Sequence, residues 1–121
     1  MYNLKLSKKQ LIVISQALES FARAKTGQFD YALEHVNFIG FVEARKMSEN
    51  IKKLYLPELR ENETYGIHQK KVSDDARIAY DIHQVIRNKI AWEERPEGGM
   101  TSYFDKPFKI SEEELPNLTK K

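Results

Sequence analysis

The sequence predicts an α+β domain that is mainly α, with three substantial helices and a small antiparallel β element formed by the N- and C-terminal segments. Three observations lead there. Apolar residues recur at helical spacing in three separate stretches. Tyr2, Leu4 and Leu6 alternate with Asn3 and Lys5, the period of a half-buried strand. After Gly98-Gly99, the run Met100 to Asp105 reads as a second short strand able to pair with the first, and Pro107 restricts or ends it.

The first helix starts at Ser7. Ser7-Lys8-Lys9-Gln10 has the spacing of a capping box, and Leu6 and Leu11 are placed as a hydrophobic staple across it. Leu11, Ile14, Leu18 and Phe21 then form a stripe. Arg23 and Lys25 lie in the last turns, where cations suit the helix dipole, and Gly27 supplies the left-handed residue that ends the helix. Asp30 is placed to cap a short helix through Leu33 and Val36, broken at Gly40. The second long helix runs from about Phe41 to Leu56, with Ala44, Met47, Ile51 and Leu54 on one face, and Pro57 stops it. The third starts at Ser73, with Asp74 and Asp75 placing negative charge on its first turn, and ends before Pro96. Its stripe, Ile78, Ala79, Ile82, Val85, Ile86 and Ile90, is broad enough to meet more than one neighbour. Ser111 to Glu114 make at most one turn before Pro116.

A length of 121 residues indicates a single domain spanning 1–121, with one modest core. With 40% hydrophobic and 31% charged residues the chain is globular but polar. Six Tyr, six Phe and one Trp in so small a chain suggest that part of the apolar surface is buried against a second copy. The absence of cysteine removes disulfide scaffolds, thiolate metal sites and cysteine nucleophiles, and fits a reducing compartment. The longest apolar run, Leu11 to Ile14, is far too short to span a membrane, and Met1 to Lys5 lack a signal-peptide core, so the expectation is a cytosolic protein. A net charge of +2 argues against binding nucleic acid through its backbone but leaves room for a small anion, which needs only two or three cations.

Enzyme signatures are missing. No glycine loop has phosphate-cradling spacing, and no H-E-x-x-H occurs. His35, His68 and His83 lie on different elements, so metal ligation needs a tertiary coincidence and no metal or cofactor is expected. Asp74-Asp75 and Glu93-Glu94 are neighbours, which on a helix point about 100° apart and make poor acid–base pairs.

Recognition chemistry is better represented. Tyr80, His83 and Arg87 share a strip of the third helix, and Arg77, Asp81, Gln84 and Asn88 form a second. A ring, an imidazole and a guanidinium on one strip suit a phosphate with an attached base or ribose, since arginine offers a bidentate fork. The commoner outcome is plainer: an Arg77–Asp81 ion pair, with Tyr80 and His83 edging the core. Around the end of the first helix, Arg23 and Gln28 either share an anion site or simply finish a helix cap. In Ser102 to Phe108, aromatic rings beside Lys106 and Lys109 either sandwich a base or fill a core or subunit interface.

Three segments together resemble a known group: Ala17 to Arg23 leading to Gly27-Gln28, Ala76 to Arg87, and Ser102 to Pro107. Over nearly its full length the chain is similar to the first-described family of phage and prophage Thoeris anti-defence proteins. That resemblance implies a non-enzymatic sponge in the host bacterial cytoplasm. It would sequester the TIR-derived signal glycocyclic ADP-ribose, work as a dimer or hexamer with ligand near subunit interfaces, and in some relatives take cyclic oligonucleotides at a second pocket. On this reading Arg23, Arg87 and Arg77 meet phosphates, Tyr80 or Phe104 stacks the adenine, and Gln28, His83, Asn88 and Asp105 serve ribose or base edges. The alternative is a small phage protein that docks on a host protein through its aromatics.

Overall fold

The computed structural model describes residues 1–36 and 40–121. Among these residues four α-helices follow one another, α1 (Lys8–Lys25), α2 (Phe29–Ala32), α3 (Phe41–Tyr55) and α4 (Asp74–Glu94), with a 3-10 turn at Ser102–Phe104.

Local rules account for α1. The Ser7 hydroxyl accepts from the Gln10 N–H at 3.2 Å, and the Gln10 side-chain oxygen accepts from the Ser7 N–H at 2.8 Å, closing the capping box. At the other end the Gln28 N–H donates to the Arg23 carbonyl (2.9 Å) and the Gly27 N–H to that of Ala24 (3.1 Å). These are the two bonds of a Schellman motif, and they require the left-handed φ of +88° that Gly27 adopts. The turn folds the chain back so that α2 begins at once. It starts at Phe29, with Gln28 and not Asp30 at the N-cap position and no side-chain capping bond, and ends at Ala32. The part of the expected short helix that falls on 37–39 lies outside the described residues.

Helices α1 and α4 form an antiparallel pair. Lys8 meets Glu94 (3.0 Å), Ser15 meets His83 (2.7 Å) and Lys25 meets Asp75 (3.7 Å), so residue numbers rise on one helix as they fall on the other. The buried positions are mostly small: Ala22 on α1, Ala76 and Ala79 on α4, with Ile86 the largest. Small residues let two helix backbones approach closely. The chain between α3 and α4 closes one end of the pair, where Tyr65, Val72 and Ala76 form a core against Leu56, Leu59 and Ile67. The Tyr65 N–H donates to the Thr26 carbonyl at 2.8 Å, tying this chain to the end of α1.

The β element is not formed: among the described residues there is no strand. Met1 to Leu4 lie exposed, and Ser102–Phe104 is the 3-10 turn. The physical reason lies in where the C-terminal backbone groups bond. They go to side chains of α4 instead of to a neighbouring strand. Asn88 Nδ2 donates to the carbonyls of Tyr103 and Asp105, both at 2.9 Å, and Trp92 Nε1 donates to that of Phe104 at 3.0 Å. Gln84 Nε2 donates to Phe108 O at 3.4 Å, and the Asp81 carboxylate accepts the N–H groups of Ile110 and Ser111, each at 2.9 Å. Residues 103–111 therefore run along α4 as an antiparallel strap. Pro107, in its middle, has no N–H to offer.

The buried faces also differ from the expected stripes. Phe21 is 42% and Leu54 78% exposed, while Ser15, Ser48 and Lys52 are buried. The helix interfaces use many small and polar positions, and several large apolar side chains of the expected stripes stay outside.

Candidate functional site

The strap and α4 enclose a groove of about 310 Å³, and Tyr80, Arg87, Asn88, Tyr103, Asp105 and Lys106 are among its walls. Its two sides are held at fixed register by the Asn88 and Trp92 bonds just described, so the groove is a product of the latch. The turn before it is tight: Gly98 has φ +85°, and a Cβ on Gly99 would lie 2.5 Å from the Phe104 ring. Phe104 packs edge-on against Trp92, with ring centroids 5.3 Å apart.

Arg87 is the central charge. Its guanidinium carbon lies 4.4 Å from the centroid of the Tyr103 ring, a cation–π contact. Its Nε is buried with no hydrogen-bond partner. Among the described residues no carboxylate lies within ion-pair distance of it. A buried donor without a partner is costly, and an arginine so placed is available for an incoming acceptor. Lys106 adds a second cation and Asp105 one acidic group on the same groove.

The latch carries a direct prediction. Asp81→Asn leaves one of the two strap N–H groups facing an amide NH2 and removes charge from both bonds. A loss of about 2 kcal/mol is expected in urea unfolding. Hydrogen exchange at Ile110 and Ser111 should accelerate well beyond that of α1.

A second polar cluster lies on the other side of α4. Glu19 Oε2 is 3.1 Å from His83 Nε2 and 3.7 Å from Arg23 Nη2, while Glu19 Oε1 is 3.1 Å from His35 Nε2. The His83 contact lies off the ring N–H axis, so that nitrogen makes no linear hydrogen bond. His83 Nδ1 is 2.7 Å from the Ser15 hydroxyl and 3.0 Å from the Ser15 carbonyl. Arg23 Nη1 donates to Gln28 Oε1 at 2.6 Å, and its guanidinium sits over the Tyr31 ring at 5.3 Å.

Ser15, His83 and Glu19 have the composition of a nucleophile triad, but the setting is wrong for one. Ser15 is 7% exposed at the middle of α1. The N–H groups around it are committed to the helical ladder, which leaves no donors to hold an oxyanion.

The neighbours of Glu19 also set its titration. The His83 ring is the largest influence, followed, against the opposing effect of burial, by His35 and the Arg23 charge; together they lower the Glu19 pKa from 4.5 to about 2. A lowered folded-state pKa stabilises the protein above the ordinary value and is lost on acidification. The protein should therefore lose up to about 3 kcal/mol between pH 4.5 and pH 2. Glu19→Gln should flatten that window in denaturation midpoints measured across it.

Of the nine candidate residues, the groove gathers Tyr80, Arg87, Asn88 and Asp105. Phe104 lines the adjoining face with Arg87 and Tyr103. His83 instead turns between α1 and α4, its ring 5.6 Å from that of Tyr80. Arg77 donates to Asp74 (3.0 Å) and to the Ile67 carbonyl (2.9 Å), so the expected Arg77–Asp81 pair gives way to Asp81's hold on the strap. Arg23 and Gln28 meet each other at the opposite end of the helix pair. The α1–α4 register places them roughly 15 Å along the axis from Arg87. Tyr103 and Lys106, which the sequence offered only as part of the aromatic–cation segment, also line the groove, and the second cluster adds Ser15 and Glu19, which sequence reasoning missed, to His35, which it weighed only as an isolated histidine. The spacing of Ser15, Glu19 and Arg23, four residues apart, was a usable signal for a polar seam on α1.

No family model matches the chain, and neither a curated protein nor a solved structure gives a significant match. No helix among the described residues is long and apolar enough to cross a membrane.

Proposed function

We propose that the chain is a non-enzymatic binding protein that sequesters a phosphate-bearing cyclic nucleotide, with glycocyclic ADP-ribose the ligand that the resemblance to Thoeris anti-defence sponges implies. The observation that carries the reading is Arg87: a partly buried guanidinium with an unpartnered Nε, stacked on Tyr103 in a groove that also offers Lys106. Arg87 and Lys106 take the pyrophosphate, Tyr80 or Tyr103 offers a face for the adenine, and Asp105 accepts from ribose hydroxyls. Asn88 acts differently, since its side-chain amide is spent holding the groove's far wall.

The working form is a homo-oligomer. The chain exposes 9111 Å², whereas a compact monomer of 14.2 kDa exposes about 6,800 Å². The excess is larger than the ~800 Å² each partner gives to a standard interface. Val42, Leu54 and Phe108 are among the large apolar side chains exposed to solvent. That same exposure favours the second reading, docking on a host protein through an aromatic face.

The test is calorimetry with glycocyclic ADP-ribose, then heat denaturation and analysis of the released nucleotide. Tight binding with intact recovery supports the sponge. Altered nucleotide identifies an enzyme. No binding to any cyclic ADP-ribose isomer removes the reading and leaves host-protein docking.

A further inference from the structure

Glu19 on α1 and Glu34 and His35 in the turn that follows α2 place one ligand atom each within 4.8 Å of one another. We propose that these three residues bind a divalent transition ion of the zinc class, with His83 fixing the inner carboxylate from behind. The nucleotide reading plays no part in this.

The two oxygens of Glu19 are divided between two environments. Oε1 faces His35 Nε2 at 3.1 Å. Oε2 faces His83 and Arg23. An ion on the Oε1 side therefore does not displace Arg23, which keeps its bond to Gln28 and its place over Tyr31. The second, independent observation is His83 itself. It is 6% exposed, and its Nε2 points toward the Glu19 carboxylate without a linear hydrogen bond. A carboxylate 3.1 Å away calls for a proton on Nε2. The other ring nitrogen, Nδ1, is held by Ser15, 2.7 Å from its hydroxyl and 3.0 Å from its carbonyl. Serine to imidazole to carboxylate is an outer-shell arrangement of the kind that orients metal-binding carboxylates. A small rotation of Glu19 toward a bound ion is the adjustment the off-axis contact leaves open.

The donor set selects the ion. One imidazole and two carboxylates leave a fourth position for water and suit tetrahedral Zn²⁺ or Co²⁺. They are too few for Ca²⁺, which takes six to eight oxygens. Two carboxylates and a neutral imidazole also balance the charge of a divalent ion. His35 and Glu34 stand at the surface, so the ion has an entry path.

The experiment is titration of the full chain, free of nucleotide, with Zn²⁺ by calorimetry and with Co²⁺ by visible absorption. One ion per chain is expected, with a tetrahedral Co²⁺ spectrum that Zn²⁺ abolishes. His35→Gln and Glu34→Gln should each weaken binding at least about tenfold, and His83→Gln about 10- to 100-fold. His68→Gln, in the chain before α4, should bind as the wild type does. Circular dichroism identifies any variant that has lost its fold, and the surface substitutions at residues 34 and 35 decide the matter if His83→Gln unfolds. No stoichiometric binding, or unchanged binding in both His35→Gln and Glu34→Gln, overturns the site. Nucleotide binding by metal-stripped protein is a separate readout, and its loss or survival bears only on the function proposed above.

Discussion

Arg87→Met is expected to weaken nucleotide binding at least about 100-fold, which is about 2.7 kcal/mol, with little change in thermal stability. A hydrogen bond to a charged group contributes about 1.5–3 kcal/mol, and the guanidinium fork offers two to a phosphate. Methionine keeps most of the apolar stem against Tyr103, so the loss reports on charge and donors. Stability should barely move, because the side chain is not paired with a carboxylate in the free protein and its Nε has no partner to lose. Arg87→Lys separates charge from geometry. It retains the cation and loses the fork, and an intermediate loss of about tenfold is expected. Calorimetry on the three proteins reads both steps. Unchanged affinity in Arg87→Met moves the ligand out of the α4–strap groove, even if the chain still binds nucleotide.

What the sequence discloses depends on how far apart the interacting parts lie. The Ser7 capping box and the Gly27 turn follow from rules that reach three to five residues, and both form as expected. The period-two alternation of Tyr2, Leu4 and Leu6 is equally local, but a strand needs a partner, and five residues hold no information about one. The partner imagined for it, the segment after Gly99, is instead bonded by Asn88, Trp92 and Asp81. Those polar residues of α4 look like a solvated flank until the strap covers them.

The candidate site divides along the same line. Spacing placed Tyr80 and Arg87 on one strip of α4 and Asn88 on a second, and the groove joins the two strips, with Asp105 brought in by the aromatic–cation strap segment. Arg23 does not join Arg87 because the antiparallel register of α1 and α4 sends the two arginines to opposite ends, a relation that only the tertiary pairing sets. The meeting of His35 and His83 on Glu19 is the tertiary coincidence that three histidines on separate elements left open.

Lys52→Met is expected to cost about 3 kcal/mol and lower the melting temperature by about 12 °C. Lys52 is 2% exposed on the inner face of α3, where pattern alone would place an apolar residue. Its ammonium lies 2.9 Å from Glu49 Oε1 and donates to the carbonyls of Glu63 (2.6 Å) and Arg60 (3.3 Å). Glu49 in turn accepts from the Asn62 N–H at 3.1 Å, so one ion pair pins both ends of the turn after Pro57. The lysine stem runs under the end of α1, where a Cβ on Gly27 would lie 3.5 Å from its Cδ. Methionine fills that apolar channel and makes none of the polar bonds, so the carbonyls and Glu49 lose their donor together. The double variant Lys52→Met with Glu49→Gln removes the abandoned charge and should recover about 1 kcal/mol or more, a coupling that denaturant unfolding of the four proteins measures. Because Leu59 in this turn and Leu56 at the end of α3 lie beside Gly27, its loosening should reach the Schellman motif that sets Gln28 beside Arg23. Amide exchange at Gln28 should therefore rise in Lys52→Met while the α4–strap bonds keep their protection. A single variant within 1 kcal/mol of wild type would mean that the ammonium is not holding these carbonyls in solution.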